Sequence, residues 1–352
     1  MKTPAELGYY MPPEWHLQEA TWLAWPINKL TWPERVEKIQ NIYVEVIKHI
    51  AAGQNAYLLV RSEKEKSEVR KKLDEKNVDI GKVKFFTIPY RDSWLRDTGP
   101  NFLLSRDGKK LAMNHWQFNA WGNKYVDDED PLHEDNAIPA EINKTLKLPF
   151  FEPGIVMEGG AIDTNGKCLL TTEQCLLNKN RNPQLSKNEV ETYLCSYYGV
   201  EKIIWLKDGI EGDDTDGHVD DICRFVNETT IVCCVEEDKN HPNYAALAEN
   251  LEILQNATDE KGRKFKVIKL PTPLKVTTDD GTPLPASYAN FLITNKVVLL
   301  PFFGGENDER ALEVLKRCFP NRSVVGIPCN DVVWGMGTLH CLSQQQPALA
   351  QA

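Results

Sequence analysis

The chain's 352 residues, 41% of them hydrophobic, are enough to bury a large core. Its 51 Asp and Glu against 41 Lys and Arg give a formal charge of −10, which argues against a nucleic-acid partner and favours cationic ligands. No apolar run is long enough to span a membrane and Met1–Tyr10 lacks the apolar segment of a secretory signal; the nine cysteines, without CxxC spacing, read as reduced thiols of a cytoplasmic protein.

In chain order, Thr21–Trp25 reads as a strand, Pro33–Ala51 as an amphipathic helix and Ala56–Val60 as a second strand. Phe102–Trp116 reads as a hairpin around Arg106-Asp107-Gly108. From Ile155 to Leu177 two β-type runs flank Asp163-Thr-Asn-Gly166, whose Asn-Gly pair is a strong hairpin signal. A helix follows from Ser186 to Tyr198, opened by a Ser186/Glu189 capping box, and then the strand Lys202–Leu206. The same order returns twice. His218–Val235 is a hairpin turning near Asn227-Glu228, with a helix from Pro242 to about Leu254 and a strand at Phe265–Leu270. Asn290–Phe303 is a hairpin turning at Thr294-Asn295, with a helix at Asn307–Cys318 and a strand at Ser323–Ile327.

Each unit spans about 65 residues, which points to a radial array. Phe102–Trp116 begins a less regular fourth unit. Thr338–Ser343, read as a strand, would pair with Thr21–Trp25 to complete a fifth and leave no exposed edge. With no low-complexity linker, residues 1–352 read as one domain. An ordinary open α/β sheet is the alternative.

Five polar segments fall at strand ends: Trp94-Leu-Arg-Asp97, Glu158-Gly-Gly160, His218-Val-Asp220, Ser287-Tyr-Ala-Asn290 and His340-Cys341. In a ring of repeats such ends converge on one cleft. On a strand, His218 and Asp220 would share a face and pair an acid/base with an anionic binding group; a solvated acidic strand end is the plainer reading. The stretch Asp214-Thr-Asp216-Gly217 is too short for a calcium loop and lacks its terminal Glu. Most of the cysteines sit in apolar settings. Cys341 differs, lying between the Gly-rich Gly335–Gly337 and a polar Ser-Gln-Gln-Gln run, and as a nucleophile it would need nearby positive charge, from His218 or from a cationic substrate. Asp97 and Glu158 taken singly read as turn or cap residues, and Trp94 as core or a stacking plate.

In this order the segments resemble the agmatine deiminase and bacterial peptidylarginine deiminase family. The resemblance runs through Tyr10-Met-Pro-Pro-Glu-Trp15, Trp22-Leu-Ala-Trp-Pro26, Trp94-Leu-Arg-Asp-Thr-Gly-Pro-Asn101, Glu158-Gly-Gly160, Leu177-Asn-Lys-Asn-Arg-Asn-Pro183, Thr215-Asp-Gly-His-Val-Asp220 and Leu339-His-Cys-Leu-Ser-Gln-Gln345. It implies a five-bladed pseudo-symmetric α/β propeller of the pentein type. It also implies deimination of agmatine to N-carbamoylputrescine and ammonia, a step of polyamine biosynthesis, with no metal or organic cofactor. Carried over, Cys341 is the nucleophile, His218 the general acid/base, Asp97 and Asp220 the carboxylates gripping the guanidinium, and Glu158 the support of the histidine. Asn290 is implied to lie near the cleft. Asp214, in an acidic loop with Asp213, is a candidate for the substrate's amine, and Trp94 or Trp121 for its aliphatic arm. Arginine or peptidylarginine deimination, amidino transfer and a non-catalytic binding protein on the same fold are the alternatives, and assembly into a homo-oligomer is left open. Two departures stand out: Gly335-Met-Gly-Thr-Leu339 replaces a Gly-Gly-Gly-Asn-Ile run, and Asp216 and Asp221 stand where Asn is usual.

Overall fold

The computed structural model describes residues 2–126 and 131–350. Its mixed α/β architecture consists of five small sheets. Three are built alike. Asp163–Thr164 pairs antiparallel with Cys168–Thr172, which pairs parallel with Lys202–Leu206 after the helix Lys187–Tyr198. Cys223–Asn227, Thr230–Val235 and Lys266–Pro271 repeat this order around the helix Tyr244–Asn256. Leu292–Ile293, Val297–Phe302 and Ser323–Pro328 repeat it around Glu306–Cys318. In the fourth sheet Asn101–Ser105, Leu111–Asn114 and Phe150–Phe151 follow the same order, with Tyr9–Tyr10 added at the edge.

The fifth sheet joins sequence-distant parts. Ser343–Pro347 lies antiparallel to Gln18–Ala24, which runs parallel to Asn55–Val60 and then Val83–Thr87. The helix Val36–Ala51 covers it, burying Ile39, Tyr43, Val46, Ile47 and Ile50, a stripe at three- and four-residue spacing. The expected capping box is present: the Ser186 hydroxyl accepts from Glu189 N–H while the Glu189 carboxylate returns to Ser186. Gly166, at φ 86°, supplies the left-handed residue of the expected turn after Asn165.

Two expected strands are turns. His218 precedes a 3-10 turn over Val219–Asp221, and the strand starts only at Cys223. Residues 338–342 are likewise not extended, and pairing begins at Ser343. The cause is local: the Asn290 amide oxygen accepts from the Thr338 hydroxyl (2.7 Å) and from the backbone N–H groups of His340 (3.0 Å) and Cys341 (3.4 Å). Donors that a strand would give to a ladder are already used. No helix among the described residues is long and apolar enough to cross a membrane, and all nine cysteines are free.

Candidate active site

Five short segments, each leading into a strand of a different sheet, meet at one place. They are Leu95–Thr98, Glu158–Ala161, His218–Asp221, Ser287–Asn290 and Thr338–Cys341. Beside them opens a cavity of about 430 Å³ whose wall includes Trp94, Asp97, Trp121, Asp214, Trp334 and Cys341.

The Cys341 sulfur lies 3.0 Å from Asn290 Nδ2 and 3.6 Å from Asp220 Oδ2. Asp97 is held from two sides, Oδ1 by Gly160 N–H (2.8 Å) and Oδ2 by the Trp121 indole N–H (2.9 Å). The loop carrying that indole is left-handed throughout: Ala120, Trp121, Gly122 and Asn123 have φ of 53°, 52°, 89° and 61°. Strain of this kind persists where the surroundings hold it and concentrates at functional sites. His218 Nδ1 is 3.8 Å from Asp97 Oδ2, and neither ring nitrogen has a hydrogen-bond partner among the described residues. Asp220 Oδ1 is likewise buried without a partner, as is Glu158 Oε2. Buried polar atoms left open beside a cavity mark places for a ligand's own donors and acceptors.

Glu158 is fully buried and takes the Arg181 Nε at 2.6 Å. Arg181 in turn reaches Asp216 (2.9 Å) and the Thr215 carbonyl (2.9 Å), tying Glu158 to the loop before His218. Asp214 accepts from the Tyr125 hydroxyl, and Lys124 pairs with Asp216 at 2.8 Å. Trp94 donates its indole N–H to Asp92 Oδ2 (3.1 Å) and packs against Trp32.

Burial, reinforced by Asp220, Asp221 and Asp97, pushes the Cys341 thiol well above the ordinary cysteine range. Burial works against a charged His218, but Asp97, Cys175 and Glu158 outweigh it and hold its pKa well above that of an ordinary histidine. Asp97 is raised by burial, opposed by His218. Asp220 stays lowered in spite of its burial, because His340 bonds to it. Burial raises Asp214 to about 6 even though the Tyr125 hydroxyl stabilises its charge.

A profile of the Porphyromonas-type peptidyl-arginine deiminases matches residues 10–347. The chain belongs to this family. A Legionella pneumophila (strain Paris) protein named "Putative agmatine deiminase" is 39% identical over 98% of this chain and 97% of its own. The agmatine deiminase of Enterococcus faecalis superposes with a TM-score of 0.91 at 34% identity, covering 99% of this chain and 98% of that one. A cysteine-to-serine agmatine deiminase of C. jejuni with substrate bound gives 0.86 at 31% identity, covering 97% of each chain.

For this member of the deiminase family the structure gathers all nine sequence-derived site residues in one region. Trp94, Asp97, Trp121, Asp214 and Cys341 line the cavity, whereas His218, Asp220, Glu158 and Asn290 do not; Asn290 contacts the Cys341 sulfur and bridges to Asp221 at 3.1 Å. His218 and Asp220 do not share a strand face: the turn sends His218 toward Asp97 and Asp220 toward Cys341. Arg181, Tyr125 and Trp334 were not singled out, although Arg181 sits in the matched Leu177–Pro183 segment. Two triads, Glu158–Cys175–His218 and Asp220–Asp221–Cys341, place their ligand-type atoms within 4.8 Å of one another. In the first, the Arg181 guanidinium already neutralises Glu158; the second adjoins the cavity where a cationic substrate would sit.

Proposed function

We propose that this protein hydrolyses agmatine to N-carbamoylputrescine and ammonia through a covalent amidino-cysteine intermediate. One observation carries the choice of substrate. The described residues lining the cavity include the carboxylates of Asp97 and Asp214 and no Lys, Arg or His side chain. A substrate with a guanidinium at one end and an ammonium at the other suits such a wall; the carboxylate of arginine would find no partner there. The names of the relatives support the same substrate.

In this reading Asp97 and Asp220 grip the guanidinium, Asp214 takes the amine, and Trp94 and Trp121 flank the aliphatic arm. The incoming cation offsets the carboxylates that keep Cys341 protonated, so the thiol sheds its proton to solvent as the substrate binds. The thiolate, with Asn290 as hydrogen-bond donor, attacks the guanidinium carbon. His218, held protonated, gives its proton to the departing nitrogen, and the C–N bond breaks to release ammonia. Neutral His218 then takes a proton from water, whose oxygen adds to the same carbon. The C–S bond breaks, releasing the ureido product and regenerating the thiol. Glu158, locked by Arg181, steadies His218. The five sheets are read as five blades of a propeller, closed by Ser343–Pro347 pairing with Gln18–Ala24, and the nine free thiols suit a cytoplasmic setting.

The test is direct: incubate the protein separately with agmatine, arginine and a peptidyl-arginine, and measure ureido product and ammonia. Agmatine alone is expected to react, and Cys341→Ala to abolish turnover. Product from arginine but not agmatine would overturn the substrate assignment; turnover by Cys341→Ala would overturn the mechanism.

A further inference from the structure

His340 precedes the nucleophile in sequence but does not line the substrate cavity. It borders a separate small void with Glu14, Arg96 and Asp163. Its Nδ1 lies 2.6 Å from Asp220 Oδ2, its Nε2 lies 3.1 Å from Glu14 Oε2, and the side chain is 2% exposed. The ring thus bridges two buried carboxylates, with one nitrogen at each. The chain of charge continues. Glu14 also pairs with Arg224, whose Nε reaches Asp163 at 3.1 Å, and Glu14 accepts the Ile293 N–H at 2.7 Å. Arg96 donates to the His340 carbonyl at 3.2 Å and so fixes the backbone beside Cys341. Every member is buried. Such a network holds a group rigidly only when all its members are satisfied. Two atoms stand apart: Arg96 Nη2 and Asp220 Oδ1 are buried with no hydrogen-bond partner among the described residues.

We propose that His340 is the positioning residue of Asp220, taking Oδ2 so that the open Oδ1 is presented to the guanidinium. The role rests on the agmatine reading above and deepens it. Burial alone would favour a protonated Asp220; the His340 bond and charge reverse that preference, with His218 and Arg224 assisting. His340 therefore supplies both the direction and the charge of one half of the guanidinium grip, without touching substrate.

The experiment compares the parent with His340→Gln, which keeps a donor but loses the charge. KM for agmatine is expected to rise about 10- to 100-fold, the size of a lost hydrogen bond to a charged group, with a smaller change in kcat. The acid limb of kcat/KM is expected to move to higher pH, because Asp220 without its cationic neighbour protonates more readily. KM and acid limb within about twofold of the parent would overturn the proposal. If His340→Gln does not fold, the isosteric Glu14→Gln removes the charge anchoring the far ring nitrogen. It is expected to raise KM in the same direction, and an unchanged KM overturns the proposal. Failure of the parent itself to form a ureido product from agmatine would instead refute the functional reading.

Discussion

Gly160→Ala offers a sharp test of the site geometry, because it alters no group assigned to the chemistry. A Cβ built on Gly160 would stand 2.5 Å from His218 Nδ1, 3.0 Å from Asp97 Oδ1 and 3.1 Å from Asp220 Oδ2. Ordinary contact begins near 3.4 Å, so the imidazole must retreat by about 1 Å or the turn must move with it. The backbone is no obstacle, since Gly160 is not among the positive-φ residues. Displacement by about 1 Å at a reacting centre costs roughly 100-fold in rate, or about 2.7 kcal/mol of barrier. Overpacking costs about 1–3 kcal/mol of stability, a melting shift of several degrees that leaves the protein folded at assay temperature. Steady-state kinetics on agmatine beside a calorimetric melt separates the two effects. Gly159→Ala is the contrast. Its Cβ would meet the Arg96 carbonyl oxygen at 2.1 Å, so backbone must shift and stability should suffer first. A Gly160→Ala enzyme with kcat/KM within about threefold of the parent would refute the placement of His218 against this turn.

Asp214, raised to about 6, binds an amine only when ionised, so KM for agmatine should fall as pH rises through that value. Asp214→Asn should flatten that dependence, as a KM–pH profile would show. The stability sign is opposite: a raised folded pKa stabilises below the ordinary carboxylate range, and that contribution is lost as pH climbs through about 6. Arg181→Met leaves the fully buried Glu158 charge unpaired and should cost about 3–5 kcal/mol, read from denaturant unfolding. A loss under about 1 kcal/mol would contradict that pairing. Trp121→Phe deletes the 2.9 Å donor to Asp97 and should lower kcat/KM about tenfold with an unchanged circular dichroism spectrum.

Much of the architecture was legible because it rests on local rules. Helix periodicity, the Ser186/Glu189 box and the Asn165-Gly166 turn place three repeated units to within a few residues. The turns that form the site were harder to read. Thr338–Ser343 has strand-like apolar spacing, yet the Asn290 side chain captures its donors from 50 positions away. His218 and Asp220 are expected on one strand face, but a 3-10 turn takes the place of that strand. Arg181 and His340 fall inside segments the sequence marks out, yet no role for either is legible there, because what defines them is a partner. Glu158 lies 23 positions from Arg181, and Glu14 lies 326 from His340. No spacing rule carries that information.

The pairing of Ser343–Pro347 with Gln18–Ala24 has a kinetic consequence. Its Trp22–Gln346 hydrogen bond joins residues 324 positions apart, and contacts of such separation form late, after their loop entropy has been met by others. Cys341, the proposed nucleophile, sits just before this strand, so in refolding the three local units can acquire their helices and hairpins while Cys341 is still unplaced. Recovery of activity in refolding is therefore expected to trail the recovery of secondary structure.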